Sequence, residues 1–158
     1  MKKQEVIHIV STKDVETRVI ELRGKKILLD SDVADLYGVE TKRVNEAVRR
    51  NLEKFPERYS FTLQVSEKQE VVANCDRFKN LKNSAVEPRA FTEGGLYMLA
   101  TILKSPKATE TTIAIIDTFT KLREVVRNIE AIHNEADSRK QKGLIQRTGE
   151  LLSMFIII

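Results

Sequence analysis

The stretch from Leu29 to Asn51, LDSDVADLYGVETKRVNEAVRRN, constrains this chain more than any other. It predicts two short helices joined by a tight turn. Ser31 is a natural cap for the first, because its hydroxyl can accept from a free N–H of the opening turn. Asp32 and Asp35 follow near the positive end of that helix. Val33 and Leu36 are apolar at helical spacing, and Ala34 is small where two helices would cross. Gly38 falls four residues after Ala34, where the chain has to turn and a positive φ is expected. Val39 fills the space between the helices. The second helix begins near Thr41 and buries Val44, Ala47 and Val48. A small residue, a glycine four later and an apolar residue six after that (Ala34, Gly38, Val44) is helix-turn-helix spacing. The outer face of the second helix carries Thr41, Lys42, Arg43, Asn45, Arg49 and Arg50. These donors suit base edges and phosphates.

The flanking segments predict an α+β fold. Val19 to Asp30 reads as a β-hairpin turning at Gly24. Phe55-Pro56 should end the second helix, since proline disfavours helical geometry in the residue before it. Tyr59 to Ser66 alternates apolar and polar residues, as a half-buried strand does. Glu67 to Ala73 reads as a short helix and Asn74 to Glu87 as a polar, basic loop. Arg89-Ala90-Phe91 can pair with the Tyr59–Val65 strand. Thr92 caps a helix burying Leu96, Met98, Leu99, Ile102 and Leu103. Ser105-Pro106 pairs a cap residue with a proline at the first helical position and so opens another helix. In that long helix Ile113, Ile116 and Phe119 are expected in the core. Ile115, Phe119, Leu122, Val126 and Ile129 trace a short heptad seam, and its later part, Leu122, Val126 and Ile129, is expected to pair with a second copy. Asn134 to Lys142 is strongly polar, and Gly143 and Gly149 interrupt the last segment. The expected organisation is an arm over 1–18, a domain over 19–124 and a helical tail over 125–158. Val6–Val10 could form a strand within the arm.

Composition narrows the function. Apolar residues make up 41% of 158, enough for a core, and a net charge of +4 does not by itself imply nucleic acid. The local distribution matters more. Thr41 to Arg58 holds six basic residues against three acidic. A second basic group, Arg77, Lys79 and Lys82, suits contact with a phosphate backbone. Lys25 and Lys26 on the hairpin offer a wing-like contact of the same kind. Within the second helix, Arg43 could reach guanine O6 and N7, and Asn45 adenine N6 and N7. One of Arg49 and Arg50 is expected on a phosphate, against the simpler alternative of intrahelical pairs with Glu53 or Glu46.

Other classes find little support. The single cysteine, Cys75, excludes an intrachain disulfide. No metal-ligand spacing, phosphate-binding glycine loop or nucleophile motif occurs, so neither catalysis, a cofactor nor a metal is expected. No signal peptide is visible, and the terminal LLSMFIII is too short to span a bilayer. A reducing, cytoplasmic setting without membrane contact follows as the expectation.

Taken in order, RGKKILLDSDVADLYGVETKRVNEAVRRN (Arg23–Asn51), FPERYSFTL (Phe55–Leu63), AFTEGGLYMLATILKSPKA (Ala90–Ala108) and IAIIDTFTKLRE (Ile113–Glu124) resemble the KilA-N-related N-terminal domain of phage antirepressors, the "ORF six" N-terminal domain. The resemblance covers about Val19 to Glu124. It implies an α+β domain that binds double-stranded DNA as a phage or prophage regulator, and no enzyme. It also leaves room for a second function class, an antirepressor whose helical tail captures another phage or host regulator.

Overall fold

The computed structural model describes residues 10–134 and 138–153. The fold is α+β. Its contacts divide the chain between Thr112 and Ile113, with Arg18–Thr112 forming one unit and the flanking segments a second. The Val6–Val10 segment falls, but for Val10, outside the described residues, as does the terminal MFIII.

In the first unit, β1 (Ile20–Leu22) and β2 (Lys25–Leu29) form the expected hairpin. Arg23 and Gly24 both take positive φ, 54° and 68°. Two left-handed residues in a two-residue connection match the twist of the strands they join. Helix α2 (Asp30–Tyr37) follows without a gap, then α3 (Thr41–Arg49), β3 (Ser60–Thr62), α4 (Val65–Asn74), β4 (Arg89–Thr92) and α5 (Glu93–Ala100). The sheet order is β1-β2-β4-β3, antiparallel throughout. β4 is therefore central, pairing with β2 as well as with the expected β3. One face of the sheet buries Ile27, Leu29, Phe61 and Ala90 together with Val71 of α4 and Phe78. The alternate residues Leu28 and Phe91, partners in register, point the other way. There Phe55 meets Phe91 edge to face at 6.3 Å.

Several expectations need correction. Ser31 does not cap α2. The helix starts at Asp30, whose own carboxylate accepts from the Ser31 N–H at 2.9 Å. Helix α3 stops at Arg49 and gives way to a 3₁₀ turn, Leu52–Lys54, before Pro56 is reached. β3 is three residues long, because α4 begins at Val65, which is exposed. The Glu67 carboxylate accepts from the Gln64 N–H at 2.9 Å and satisfies a donor at that helix end. The stretch taken for a loop contains 3₁₀ turns over Asp76–Asn83, anchored by buried Phe78. Helix α5 ends at Ala100, short of Ile102.

Thr92 caps α5 as expected, accepting from the Gly95 N–H. Gly95 permits the closest approach in the fold: a Cβ there would lie 1.9 Å from the Tyr59 carbonyl oxygen. Gly38 takes φ 68° after α2. The last carbonyls of α2 find side-chain donors from far along the chain. Ser105 Oγ donates to Tyr37 O at 2.8 Å and Thr111 Oγ1 to Leu36 O at 2.7 Å. Ser105 is thus spent on α2 rather than on a helix cap, and α6 (Ala108–Asn134) starts after the turn at Pro106.

The second unit holds α1 (Thr12–Glu16), most of α6 and α7 (Ser138–Ser153). Thr118 Oγ1 donates to Ala114 O and, at 3.4 Å, to Thr12 O. Ala114, Ile115, Thr118, Phe119 and Val125 are buried on α6. Ile113 and Ile116 are not; they lie on the opposite face, 54% and 42% exposed. At 3.6 residues per turn Ile115 and Phe119 share a face that excludes them. Gly143 and Gly149 do not interrupt α7, which is helical across both. Its Gln141 amide donates to Ile132 O at 2.9 Å.

A candidate nucleic-acid interface on the second helix of the helical pair

Helix α3 is held by the complete burial of Val44 and Val48 against α2 and its surroundings. Each such side chain contributes about 1.5–3 kcal/mol relative to exposure. Ala47, expected beside them, is half-buried. The opposite face of the helix is thereby presented to solvent, and its cations can be compared one by one.

Arg49 and Arg50 are exposed, and neither forms the intrahelical pair that its spacing allows. Lys42 is exposed and lies 3.5 Å from the equally exposed Glu40; such a surface pair is weak and leaves the ammonium free to exchange partners. Arg43 donates one N–H to Lys104 O at 2.8 Å. A guanidinium has five donors, so most of its fork remains open. Arg43 and Arg50, one helical stripe, line a cleft of about 480 Å³ together with Glu46, Ala47 and Asn51 and with Ile102, Leu103 and Lys104 of the following connection. Lys104 was not anticipated from the sequence, since nothing local marks the Ile102–Ser105 connection as a neighbour of α3.

Asn45 has partners within the domain. It is half-buried, and its amide donates to Asp30 Oδ2 at 3.0 Å and to Thr41 O at 3.4 Å. Asp30 is only 5% exposed. A buried carboxylate requires donors, and Asn45 supplies one across the α2–α3 crossing. Its hydrogen-bonding edge faces α2 rather than outward. Thr41, also half-buried, supports the same link through its carbonyl.

The remaining expected contacts lie elsewhere. Lys25 and Lys26 are exposed on the β1–β2 hairpin, Lys26 3.6 Å from Glu21. Lys79 pairs with Asp76 on the surface, 3.3 Å apart. Lys82 lines a separate cleft with Lys68, Leu63 and Val72. None of these four lysines lines the α3 cleft. Arg77 is structural. It donates to Asp32 Oδ2 at 3.2 Å and to Arg18 O at 3.1 Å, and stacks over Phe78 at 4.3 Å. Burial holds the Asp32 carboxyl above its ordinary value, and Arg77 offsets only part of that rise. Removing Arg77 would take a partner from a mostly buried carboxylate, although the Arg77 side chain itself is 39% exposed.

A comparable commitment holds Arg23. Its guanidinium grips Glu67 through two bonds, 2.8 and 2.9 Å, and lies 3.8 Å over the Phe61 ring. Of the proposed pairing residues on α6, Leu122 is half-buried, while Val126 and Ile129 are 49% and 50% exposed. Among the described residues no group of three or more His, Cys, Asp or Glu side chains could hold a metal ion, and no helix is long and apolar enough to cross a membrane.

The picture is a compact α+β unit whose helical pair, with its left-handed glycine, presents a cationic outer face. No curated protein and no solved structure matches the chain. Residues 17–102, more than half of the 158, match the ORF6N domain. The match takes in α2, the Gly38 turn and α3 and ends at Ile102, and on it the chain belongs to the ORF6N domain family, a phage antirepressor-like N-terminal domain.

Proposed function

We propose that this protein is a sequence-specific double-stranded DNA-binding regulator of phage or prophage type, related to KilA-N domains. It works by binding rather than catalysis, in the cytoplasm, with no cofactor. The observation that carries the reading is α3. It follows a left-handed glycine, buries Val44 and Val48, and leaves Lys42, Arg49 and Arg50 exposed with Arg43 partly free. In a helix-turn-helix protein the second helix enters the major groove. Arg43 and Lys42 then lie near its N-terminal end, where base edges are reached, and Arg49 and Arg50 near the phosphates. Lys104, which lines the same cleft as Arg50, adds a third cation to that side. Lys25, Lys26, Lys79 and Lys82 supply supplementary backbone contacts, and Asn45 positions α3 without reading a base.

A salt titration with a duplex pool tests this. With roughly four to six phosphates neutralised per domain, log affinity should fall against log salt with a slope of about −4 to −5. A slope near zero would overturn the reading. Selection of bound duplexes from a random pool should return one motif, and two-fold symmetry in that motif would match a homodimer. A second reading, capture of another regulator by the tail, is favoured by the half-exposed Val126 and Ile129. Removal of the chain beyond Glu124 separates the two: DNA binding persists in the first case and partner capture disappears in the second.

A further inference from the structure

Glu46 occupies the centre of the face that α3 presents. It is two residues from Val44 and two from Val48, about 200° around the helix from each, and both valines are fully buried. Its helix position is therefore opposite the buried stripe, and its side chain is half-buried, lining the cleft beside Arg43 and Arg50. Lys42 and Arg49 flank it on one side, Arg43 and Arg50 on the other. Despite four neighbouring cations, Glu46 forms no ion pair and no side-chain hydrogen bond among the described residues. A helix serving only to grip phosphates would bind better without an anion at its midline, because that carboxylate repels every phosphate the flanking residues attract.

We propose, resting on the DNA-binding reading above, that Glu46 is a specificity-determining residue that selects a cytosine in the major groove. An ionised carboxylate only accepts hydrogen bonds. Cytosine presents its N4 amino donor in the major groove, whereas guanine presents the N7 and O6 acceptors and thymine the O4 acceptor. Adenine offers the N6 donor beside the N7 acceptor, which a carboxylate opposes and an amide satisfies. Glu46 thus rejects three bases and accepts one, while the flanking cations hold the helix at the depth where it reaches them.

The test uses the full chain and two variants, Glu46→Ala and Glu46→Gln. Preferred duplexes are selected from a random pool for each, and affinities are measured on the selected duplex, on one with the relevant C·G pair replaced, and on random-sequence DNA. For Glu46→Ala, discrimination at one C·G pair should fall by about 5- to 150-fold, while random-sequence binding stays equal or tightens. Glu46→Gln should move the preferred base at that position from cytosine to adenine. The opposite signs on specific and random DNA separate base reading from a general loss of fold, which would weaken both. A Glu46→Ala protein that keeps the same motif and the same discrimination overturns the proposal and leaves DNA binding intact. A native protein that returns no motif at all overturns the underlying reading as well, before any variant is compared.

Discussion

Replacing Gly95 by alanine should damage this fold, although glycine inside a helix is ordinarily improved by that change. The added Cβ would lie 1.9 Å from the Tyr59 carbonyl oxygen and 2.8 Å from its carbon. Both are backbone atoms, so no rotamer change relieves the contact, and α5 and the start of β3 must separate by about 1 Å, the minimum that removes the overlap. The same oxygen accepts from Thr92 N–H at 3.0 Å and from Thr92 Oγ1 at 3.2 Å. A separation of that size breaks the first bond and misdirects the second. Overpacking costs about 1–3 kcal/mol, and a buried group left unpaired another 1–3. The helix-propensity gain of about 1 kcal/mol offsets part of this. The net loss is about 1–5 kcal/mol, a fall in melting temperature of roughly 2–20 °C for a chain of this length. Gly143 and Gly149 are the controls. Nothing lies within 4 Å of a Cβ at either, and alanine there should gain about 0.5–1 kcal/mol each. Thermal melts followed by circular dichroism compare the three. A Gly95→Ala protein that melts at or above the native temperature would refute the argument.

Asn45→Ala should lower stability by about 1–3 kcal/mol, because Asp30 Oδ2 loses the Asn45 donor and only the Ser31 N–H remains on the carboxylate, while leaving the selected DNA motif unchanged; a shifted motif at native stability would assign Asn45 to base reading. The Arg23 guanidinium holds the Glu67 carboxyl below its ordinary value of 4.5. A depressed folded-state value adds stability above pH 4.5 that is lost as pH falls through the depressed value. Glu67→Gln should therefore be less stable near neutrality and show a flatter acid limb in denaturant melts, and parallel limbs would contradict this. Val126→Asp should convert a micromolar homodimer to monomers in light scattering, with the Arg18–Thr112 unit still folded; a native protein already monomeric would exclude pairing through that seam.

What the sequence made legible is what local chemistry decides. Gly38 was identified because one residue type alone takes a left-handed turn cheaply, and Thr92 because a capping hydroxyl needs only the next three residues. The alternation over Tyr59–Ser66 located β3, although Val65 falls outside it, and the short Arg89–Phe91 strand was correctly paired with it. Several side chains were assigned local or external roles because their partners lie far along the chain. Arg77 read as a free basic residue until Asp32, 45 positions away, claimed it. Ser105 read as a cap until the Tyr37 carbonyl, 68 positions away, accepted its hydroxyl. Asn45 looked like a reader of adenine because side-chain type and helix position both suit that task, and only the buried Asp30 redirects it. Ile113 and Ile116 show the converse error: an apolar residue type does not oblige burial.

The same distant contacts explain why the candidate interface has a fixed shape. One connection, from Ile102 to Thr111, touches both helices of the pair. Ser105 and Thr111 close the end of α2, and the Lys104 carbonyl takes a hydrogen bond from Arg43 of α3. Gly38 turns between them, with the Lys107 side chain 3.4 Å from where a Cβ would stand. That connection begins where α5 ends, and α5 is seated by Gly95 against Tyr59. A disturbance at Gly95 therefore travels through α5 into the wall of the cleft, at a distance from the exposed cations of α3. Loss of DNA binding in Gly95→Ala should follow its loss of stability and recover at lower temperature, whereas loss in Arg50→Ala should persist at every temperature where the protein is folded. The contrast separates residues that shape the α3 face from those that carry its charge.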